Sequence, residues 1–141
     1  MIITRRIRVS AETYYKYLVE MVLRELRKNM SGAIKKEELV KGFKTRKTFY
    51  KGKEKVETIF TIEEMTYPEL LVVSVTTDKG TQFTSHSLRP IKDDVVEDTY
   101  EEDLRTDDLK MKLSAIWNVG RTRSNMAKNI ARMEKELLGK K

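Results

Sequence analysis

The sequence predicts an α+β fold, in which a curved antiparallel sheet of about six strands packs against a long C-terminal helix. The last stretch of the chain, roughly residues 107–138, has the longest helical pattern, with apolar residues at steps of three and four. Short turns separate the apolar segments in the middle of the chain, which is typical of an antiparallel meander. When neighbouring segments are paired symmetrically across these turns, the apolar residues collect on one face of the sheet.

The N-terminal part of the chain predicts one strand and two short helices. Residues 2–9 alternate between apolar and polar side chains, as in a half-buried strand. Ser10 follows at the position expected for a helix N-cap, and the helix that it begins extends to about Asn29. Its inward-facing side chains are predicted to be Tyr14, Leu18, Met21, Val22 and Leu26. A second short helix is predicted over residues 35–41 and ends at Gly42.

Four or five further strands are predicted, over residues 43–50, 56–62, 70–76, 81–89 and 95–104. The symmetric pairing predicts four pairs of cross-strand neighbours: Phe49 with Val56, Phe60 with Val73, Leu71 with His86, and His86 with Tyr100. These residues and Glu102 would share the inner face, whereas the outer face would hold mainly charged and hydroxyl side chains. The sequence therefore predicts one sheet with one face covered.

The last helix carries its apolar stripe on Leu109, Leu113, Ile116, Gly120, Ala127, Ile130, Met133 and Leu137. A helix of this length would extend about 45 Å and needs a broad partner surface, which the sheet could supply. The stripe is interrupted over residues 120–125, and glycine within a helix costs about 1 kcal/mol relative to alanine. A kink or close packing is the favoured interpretation. The alternative is an opening lined by Arg123, which would favour a carboxylate or phosphate group.

Composition indicates one globular domain over residues 1–141. The chain is 39% hydrophobic and 36% charged, and it contains no cysteine. The absence of cysteine excludes disulfides and thiol catalysis, and it fits a cytoplasmic protein. No apolar run approaches the roughly 18 residues of a membrane span, and residues 1–10 lack the apolar region of a signal peptide.

Charge is segregated along the chain, although the net charge is only +7. Residues 1–55 hold 16 Lys or Arg against 6 Asp or Glu, residues 56–108 hold 4 against 14, and residues 109–141 hold 9 against 2. We expect the basic ends to fold back onto the acidic middle. An electropositive surface for anions is the alternative.

The order of the predicted elements resembles the helix-grip fold of the START-like (SRPBCC) superfamily. The resemblance is carried by ITRRIRVSAETYYKYL, EELVKGFKTRKTF, DKGTQFTSHSL and DTYEEDL, which together extend over most of the chain. Within that superfamily, the chain resembles a family of small bacterial proteins of unknown function from low-GC Gram-positive (Firmicutes-type) species. The resemblance implies a cavity between the sheet and the C-terminal helix. None of these stretches is a catalytic signature.

The candidate cavity residues are those that would place polar or large apolar groups on its wall: Arg5, Phe60, Val73, His86, Tyr100, Glu102, Trp117 and Arg123. The resemblance implies that the first strand lies beside the last, which would bring Arg5 near Glu102 as a buried ion pair. An ion pair that merely fills the end of the sheet is the favoured interpretation, and a polar group on the cavity wall is the alternative. His86 is the only histidine, and a core role is favoured over acid–base catalysis.

Metal and cofactor sites are not predicted. The acidic run over residues 97–103 alternates between the two faces of a strand, so a solvated edge is the favoured interpretation. No glycine-rich phosphate loop is present. The prediction is therefore of no cofactor and no metal.

Non-catalytic binding of a small hydrophobic or amphipathic molecule is the favoured function. A macromolecular-interaction module that uses the basic strand at residues 43–55 is one alternative, although nucleic acid is disfavoured because Phe43 and Phe49 fall on the inner face. Lysines on an edge strand also block aggregation. A cyclase/aromatase-like enzyme is a second alternative, and it requires His86, Tyr100 and Glu102 to meet at an open pocket. Ligand identity and oligomeric state are not predicted.

Overall fold

A computed structural model of the chain describes residues 1–108, 128 and 131–135. It begins with strand β1 (Ile2–Ile7) and helix α1 (Ala11–Asn29), followed by a single turn of 3-10 helix (Lys36–Glu38). The remaining strands are β2 (Lys44–Lys51), β3 (Glu54–Thr66), β4 (Leu70–Thr77), β5 (Gly80–Lys92) and β6 (Val95–Arg105).

The six strands form one antiparallel sheet in the order β1-β6-β5-β4-β3-β2. Strands β2 to β6 are a meander, because each pairs with its neighbour in the sequence across a short turn. Strand β1 closes the order by pairing with β6. The predicted six-stranded antiparallel sheet is confirmed.

The predicted register is correct at three of the four predicted pairs. Phe49 lies across from Val56, and His86 lies between Leu71 and Tyr100 on the two neighbouring strands. The fourth pair is wrong, because Phe60 lies across from Val75 instead of Val73. The turn between β3 and β4 lies later in the chain than predicted, and β3 has a bulge between Ile62 and Glu64. Before the bulge the shift is two residues, so the side chains of residues 56–62 stay on their predicted faces.

Helix α1 packs on the inner face of the sheet. Ser10 caps it as predicted, since its hydroxyl accepts a hydrogen bond of 3.1 Å from the Thr13 backbone amide. The buried side of the helix contacts β5 and β6. Side chains from the helix and the sheet form one core, which includes Ile7, Tyr15, Leu18, Leu23, Leu26, Ile62, Leu71, Leu88 and Val96.

The prediction of two short helices between the first two strands needs correction. The first helix has its predicted bounds, but with 19 residues it is not short, and the predicted helix over residues 35–41 is only one 3-10 turn. Leu39 is buried next to that turn, whereas Val40 is 56% exposed, so one apolar side chain anchors the segment. A single anchor does not supply the apolar face that would stabilise a longer helix.

Most of the predicted C-terminal helix lies outside the described residues. Residues 131–135 within it are helical, and Met133 is buried in the core. Next to it, Glu134 accepts a hydrogen bond of 2.7 Å from the Arg8 guanidinium. These two contacts attach the described C-terminal segment to the core and to the connection between β1 and α1.

Candidate functional site

A pocket of about 240 Å³ lies between helix α1 and the inner face of the sheet. Its apolar wall consists of Leu18, Met21 and Val22 from the helix and Phe60, Leu71 and Val73 from the sheet. Three polar side chains complete the described lining, namely Glu25, Thr84 and His86. An apolar pocket with few polar groups is the usual form of a small-molecule site, because those groups orient the ligand.

A buried carboxylate holds the pocket histidine in place. Asp98 on β6 is 1% exposed. Its Oδ2 atom lies 2.8 Å from His86 Nδ1 and accepts a hydrogen bond of 2.8 Å from the Tyr14 hydroxyl. Its Oδ1 atom is buried and has no hydrogen-bond partner in the described part of the chain. We call Tyr14, Asp98 and His86 the buried triad.

The buried triad follows from strand register and from the position of α1. His86 lies across from Tyr100, so Asp98, two residues before Tyr100, lies on the same inner face. Tyr14 is in the first turn of α1 and reaches Asp98 from the opposite layer. Burial raises the pKa of the Tyr14 hydroxyl, and the nearby Asp98 carboxylate raises it further. Tyr14 is therefore a neutral donor that satisfies part of a buried charge.

A second polar pair lies next to His86. The ring centroids of His86 and Tyr100 are 5.1 Å apart, and the Tyr100 hydroxyl donates a hydrogen bond to the Glu102 carboxylate. Burial raises the pKa of Tyr100, and its hydrogen bond to Glu102 acts in the same direction. Glu102 lies across from Thr84, which lines the pocket. This pair therefore supports the histidine ring from the β6 side.

Five of the predicted cavity residues lie in or beside the pocket. Phe60, Val73 and His86 line it. Tyr100 packs on His86, and Glu102 accepts a hydrogen bond from the Tyr100 hydroxyl. The structure thus brings these five side chains together, with three of them on the pocket wall.

The predicted ion pair between Arg5 and Glu102 is not formed. Arg5 lies across from Asp98 in the β1–β6 pairing, and the Arg5 side chain is exposed. The Glu102 backbone amide instead donates to the Met1 carbonyl, which places Glu102 beside Met1. Arg5 is four residues away from Met1, so Arg5 and Glu102 are about 13 Å apart along the strand. Strand β1 is an edge strand, so the long Arg5 side chain can extend into water. Its guanidinium group avoids the free-energy cost of leaving water that burial would impose. Trp117 and Arg123 lie outside the described residues.

Two members of the buried triad, Asp98 and Tyr14, are not among the site residues that the sequence predicts. Asp98 belongs to the acidic run for which a solvated edge is predicted, and that prediction is wrong for this residue. The predicted pairing of His86 with Tyr100 contained the signal, because it also places Asp98 on the inner face. The helical spacing predicts that Tyr14 points inward, but no sequence pattern links it to a residue 84 positions later.

Two further expectations concern metal ions and membranes. Within residues 1–108 and the short described C-terminal segment, no group of three or more His, Asp or Glu side chains could hold a metal ion. No helix of the described residues is long and apolar enough to span a bilayer.

Solved structures of START-like proteins share this fold. A START superfamily protein from Mycobacterium smegmatis has a TM-score of 0.53 at 15% identity, over 97% of both chains. Norcoclaurine synthase from Thalictrum flavum, in complex with dopamine and hydroxybenzaldehyde, has a TM-score of 0.59 at 12% identity, over 100% of this chain and 87% of its own. An HSP90 activator from Plasmodium falciparum has a TM-score of 0.54 at 12% identity, over 99% of this chain and 95% of its own. At such identities these likenesses show the fold alone, which confirms the predicted START-like class.

Sequence comparisons place the chain in a family. No curated protein has a significant sequence match to it. A family model described as "Domain of unknown function (DUF3284)" matches residues 1–119, which include the whole sheet and helix α1. The predicted origin in low-GC Gram-positive bacteria stays a prediction. The chain belongs to the DUF3284 family, and its fold is START-like.

Proposed function

We propose that this protein binds a small, mainly apolar molecule in the pocket between helix α1 and the inner face of the sheet, and that it does not transform it. The observation that carries the proposal is a pocket with six apolar side chains around the imidazole of His86. Apolar walls supply affinity in proportion to the area that they cover, and one fixed polar group supplies orientation.

The size of the pocket limits the ligand. An engineered apolar cavity of about 150 Å³ binds benzene, whereas drug-sized ligands occupy roughly 300–1,000 Å³. A pocket of about 240 Å³ therefore fits a substituted single ring or a short branched chain. Long acyl chains need more space than the described pocket offers.

The fold is compatible with this proposal. The norcoclaurine synthase structure holds dopamine and hydroxybenzaldehyde, and both of these ligands are substituted single rings. That enzyme is only 12% identical to this chain, so its ligands support the size class and not a chemistry.

A second candidate is an enzyme, and the buried triad is the observation that favours it. A carboxylate that orients a histidine at the wall of an apolar pocket is a common arrangement for a general base. His86, Tyr100 and Glu102 are adjacent, as a cyclase/aromatase-like mechanism would require, but only His86 lines the pocket. Binding without catalysis remains our proposal, because neither Tyr100 nor Glu102 is part of the described pocket lining.

The basic strand is the third candidate site, and its charges are partly neutralised. Strand β2 is an edge strand, and Tyr50 on it is 72% exposed. One cation of the strand is paired, Arg46 with Glu57 at 3.1 Å, and Lys41 shortly before the strand pairs with Glu64 at 3.1 Å. These pairs lower the positive potential that a macromolecular polyanion would need.

The test of ligand binding is a titration of the full chain with toluene, followed in the ¹H–¹⁵N spectrum. We expect saturable shifts of amides around the pocket. Val73→Phe would fill the pocket and abolish the shifts. Val75→Phe is the matched control, because Val75 lies on the same strand and face but is 39% exposed and outside the pocket.

Native mass spectrometry of the protein purified from its own source extends this test to the natural ligand. We expect a bound species of small mass that Val73→Phe lacks. Unchanged spectra up to the solubility limit of toluene, together with a mass spectrum of the bare chain, would contradict a binding function.

A further inference from the structure

We propose that the pocket selects molecules that carry a neutral hydrogen-bond donor, such as a phenol or another ring-bound hydroxyl, and rejects carboxylates of the same shape. This inference rests on the proposed binding function and gives it a chemical class. It is carried by the tautomer that the buried triad imposes on His86 and by the charges around the pocket.

The contact with Asp98 determines which nitrogen of the His86 ring carries the proton. Asp98 Oδ2 lies 2.8 Å from His86 Nδ1 and already accepts a hydrogen bond from Tyr14. A carboxylate has no hydrogen to donate, so the contact requires the proton to be on Nδ1. In the neutral imidazole, Nε2 is then a hydrogen-bond acceptor.

The other ring nitrogen, Nε2, is available for a hydrogen bond. No described residue makes a hydrogen bond to it, and the His86 side chain is 17% exposed where it lines the pocket. The ring is fixed by Asp98 on one side and by the face of Tyr100 at 5.1 Å. A ligand therefore meets an oriented acceptor that needs little ordering on binding.

The charged side chains around the pocket are acidic. The described lining includes no lysine or arginine, whereas Glu25 is part of it. Asp98 and Glu102 lie directly behind His86 and Tyr100. When His86 is neutral, a carboxylate ligand would have no cation to pair with among these residues and would face three acidic side chains. A neutral donor meets the acceptor nitrogen without that repulsion.

The tautomer can be tested without any substitution, because His86 is the only histidine of the chain. In protein labelled with ¹⁵N-histidine, at a pH at which the ring is neutral, we expect the pattern of a ring protonated at Nδ1. Adding p-cresol should move the Nε2 resonance and leave Nδ1 nearly unchanged. A ring protonated at Nε2, or an Nε2 signal that does not respond to bound p-cresol, would overturn the inference.

A ligand panel separates this inference from the binding function. Toluene measures apolar binding alone, p-cresol adds a donor, 4-methylanisole replaces the donor by an acceptor, and p-toluate adds a negative charge. One net hydrogen bond should make p-cresol bind roughly 2- to 12-fold more tightly than toluene or 4-methylanisole. We expect p-toluate to bind more weakly than toluene.

Matched variants assign the preference to His86. In His86→Phe, we expect p-cresol and toluene to bind with equal affinity, so the readout is the ratio of the two affinities within that variant. Ser85→Ala should keep the wild-type ratio, since Ser85 is the neighbouring residue on the opposite face of the strand. Equal affinity for toluene and p-cresol in the wild type would overturn the inference but leave the binding function standing. Failure of every compound to bind would overturn both.

Discussion

At the scale of single residues, the Asp98 carboxylate depends most strongly on its hydrogen-bond donors. It is 1% exposed, and one of its oxygens receives both available donors while the other has none among the described residues. A buried charge in this state depends strongly on each donor, because removing one leaves a larger uncompensated charge. Tyr14 and His86 therefore contribute to stability as well as to the geometry of the pocket.

The first prediction concerns the hydroxyl of Tyr14. Tyr14→Phe removes a hydrogen bond to a buried charged group, and we expect the free energy of unfolding to fall by about 1.5–3 kcal/mol. Urea denaturation at neutral pH measures it. Tyr50→Phe is the control, because the same hydroxyl is removed from a side chain that is 72% exposed. A loss no larger than that of the control would mean that the Tyr14–Asp98 bond is not formed in solution.

The second prediction concerns alkaline pH. Burial, followed by the charge of Asp98, raises the pKa of Tyr14, so the folded chain keeps its phenol neutral where the unfolded chain ionises. The contribution of Tyr14 to stability is therefore complete below about pH 10 and is lost as the pH rises above that value. We expect the stability advantage of the wild type over Tyr14→Phe to shrink by up to about 1.4 kcal/mol per pH unit above 10. A constant difference between the two proteins from pH 8 to pH 11 would contradict the raised pKa.

At the scale of elements, the turns determine how well the register can be predicted. The tight turns after β2 and β4 fix the pairings of Phe49 and His86, and the sequence alone predicts them correctly. The longer turn between β3 and β4 and the bulge after Ile62 shift the pairing of Phe60, and neither has a sequence signal as strong. The apolar alternation still assigns the correct face, since the shift is an even number of residues.

The third prediction concerns Gly80, the first residue of β5. Its φ angle is +147°, and a Cβ atom added there would lie 2.4 Å from the Arg105 carbonyl oxygen. Gly80→Ala therefore has to move the end of β6 away from the β4–β5 turn, and we expect a loss of about 1–3 kcal/mol. Gly32→Ala is the matched control, because a Cβ there has no atom within 4 Å. Thermal unfolding of both variants measures the difference. Equal melting temperatures would show that the strand ends separate in solution.

At the scale of the whole molecule, the segregated charges are partly explained by folding. Ion pairs join the basic N-terminal segment to the acidic middle, namely Arg6 with Glu97, Lys41 with Glu64, and Arg46 with Glu57. Such exposed pairs add only about 0–1 kcal/mol each to the stability of the folded chain. Their main effect is therefore to favour the correct arrangement of the segments over other arrangements. The sequence predicted this complementarity from charge counts. It did not predict the buried triad, because a contact between Tyr14 and Asp98 depends on how a helix lies over a sheet.

The last prediction is that residues 1–141 unfold as one unit. The core contains side chains from α1 and from several strands together with Met133 of the C-terminal segment, so these parts bury one another. We expect urea transitions followed by far-UV circular dichroism and by fluorescence to coincide. Met133 is 1% exposed, and Met133→Ala should lower the stability seen by both probes by about 2–5 kcal/mol. Lys128→Ala, at an exposed helical position, should leave both unchanged. A Met133→Ala variant that shifts only one of the two signals would show that the C-terminal segment folds independently of the sheet.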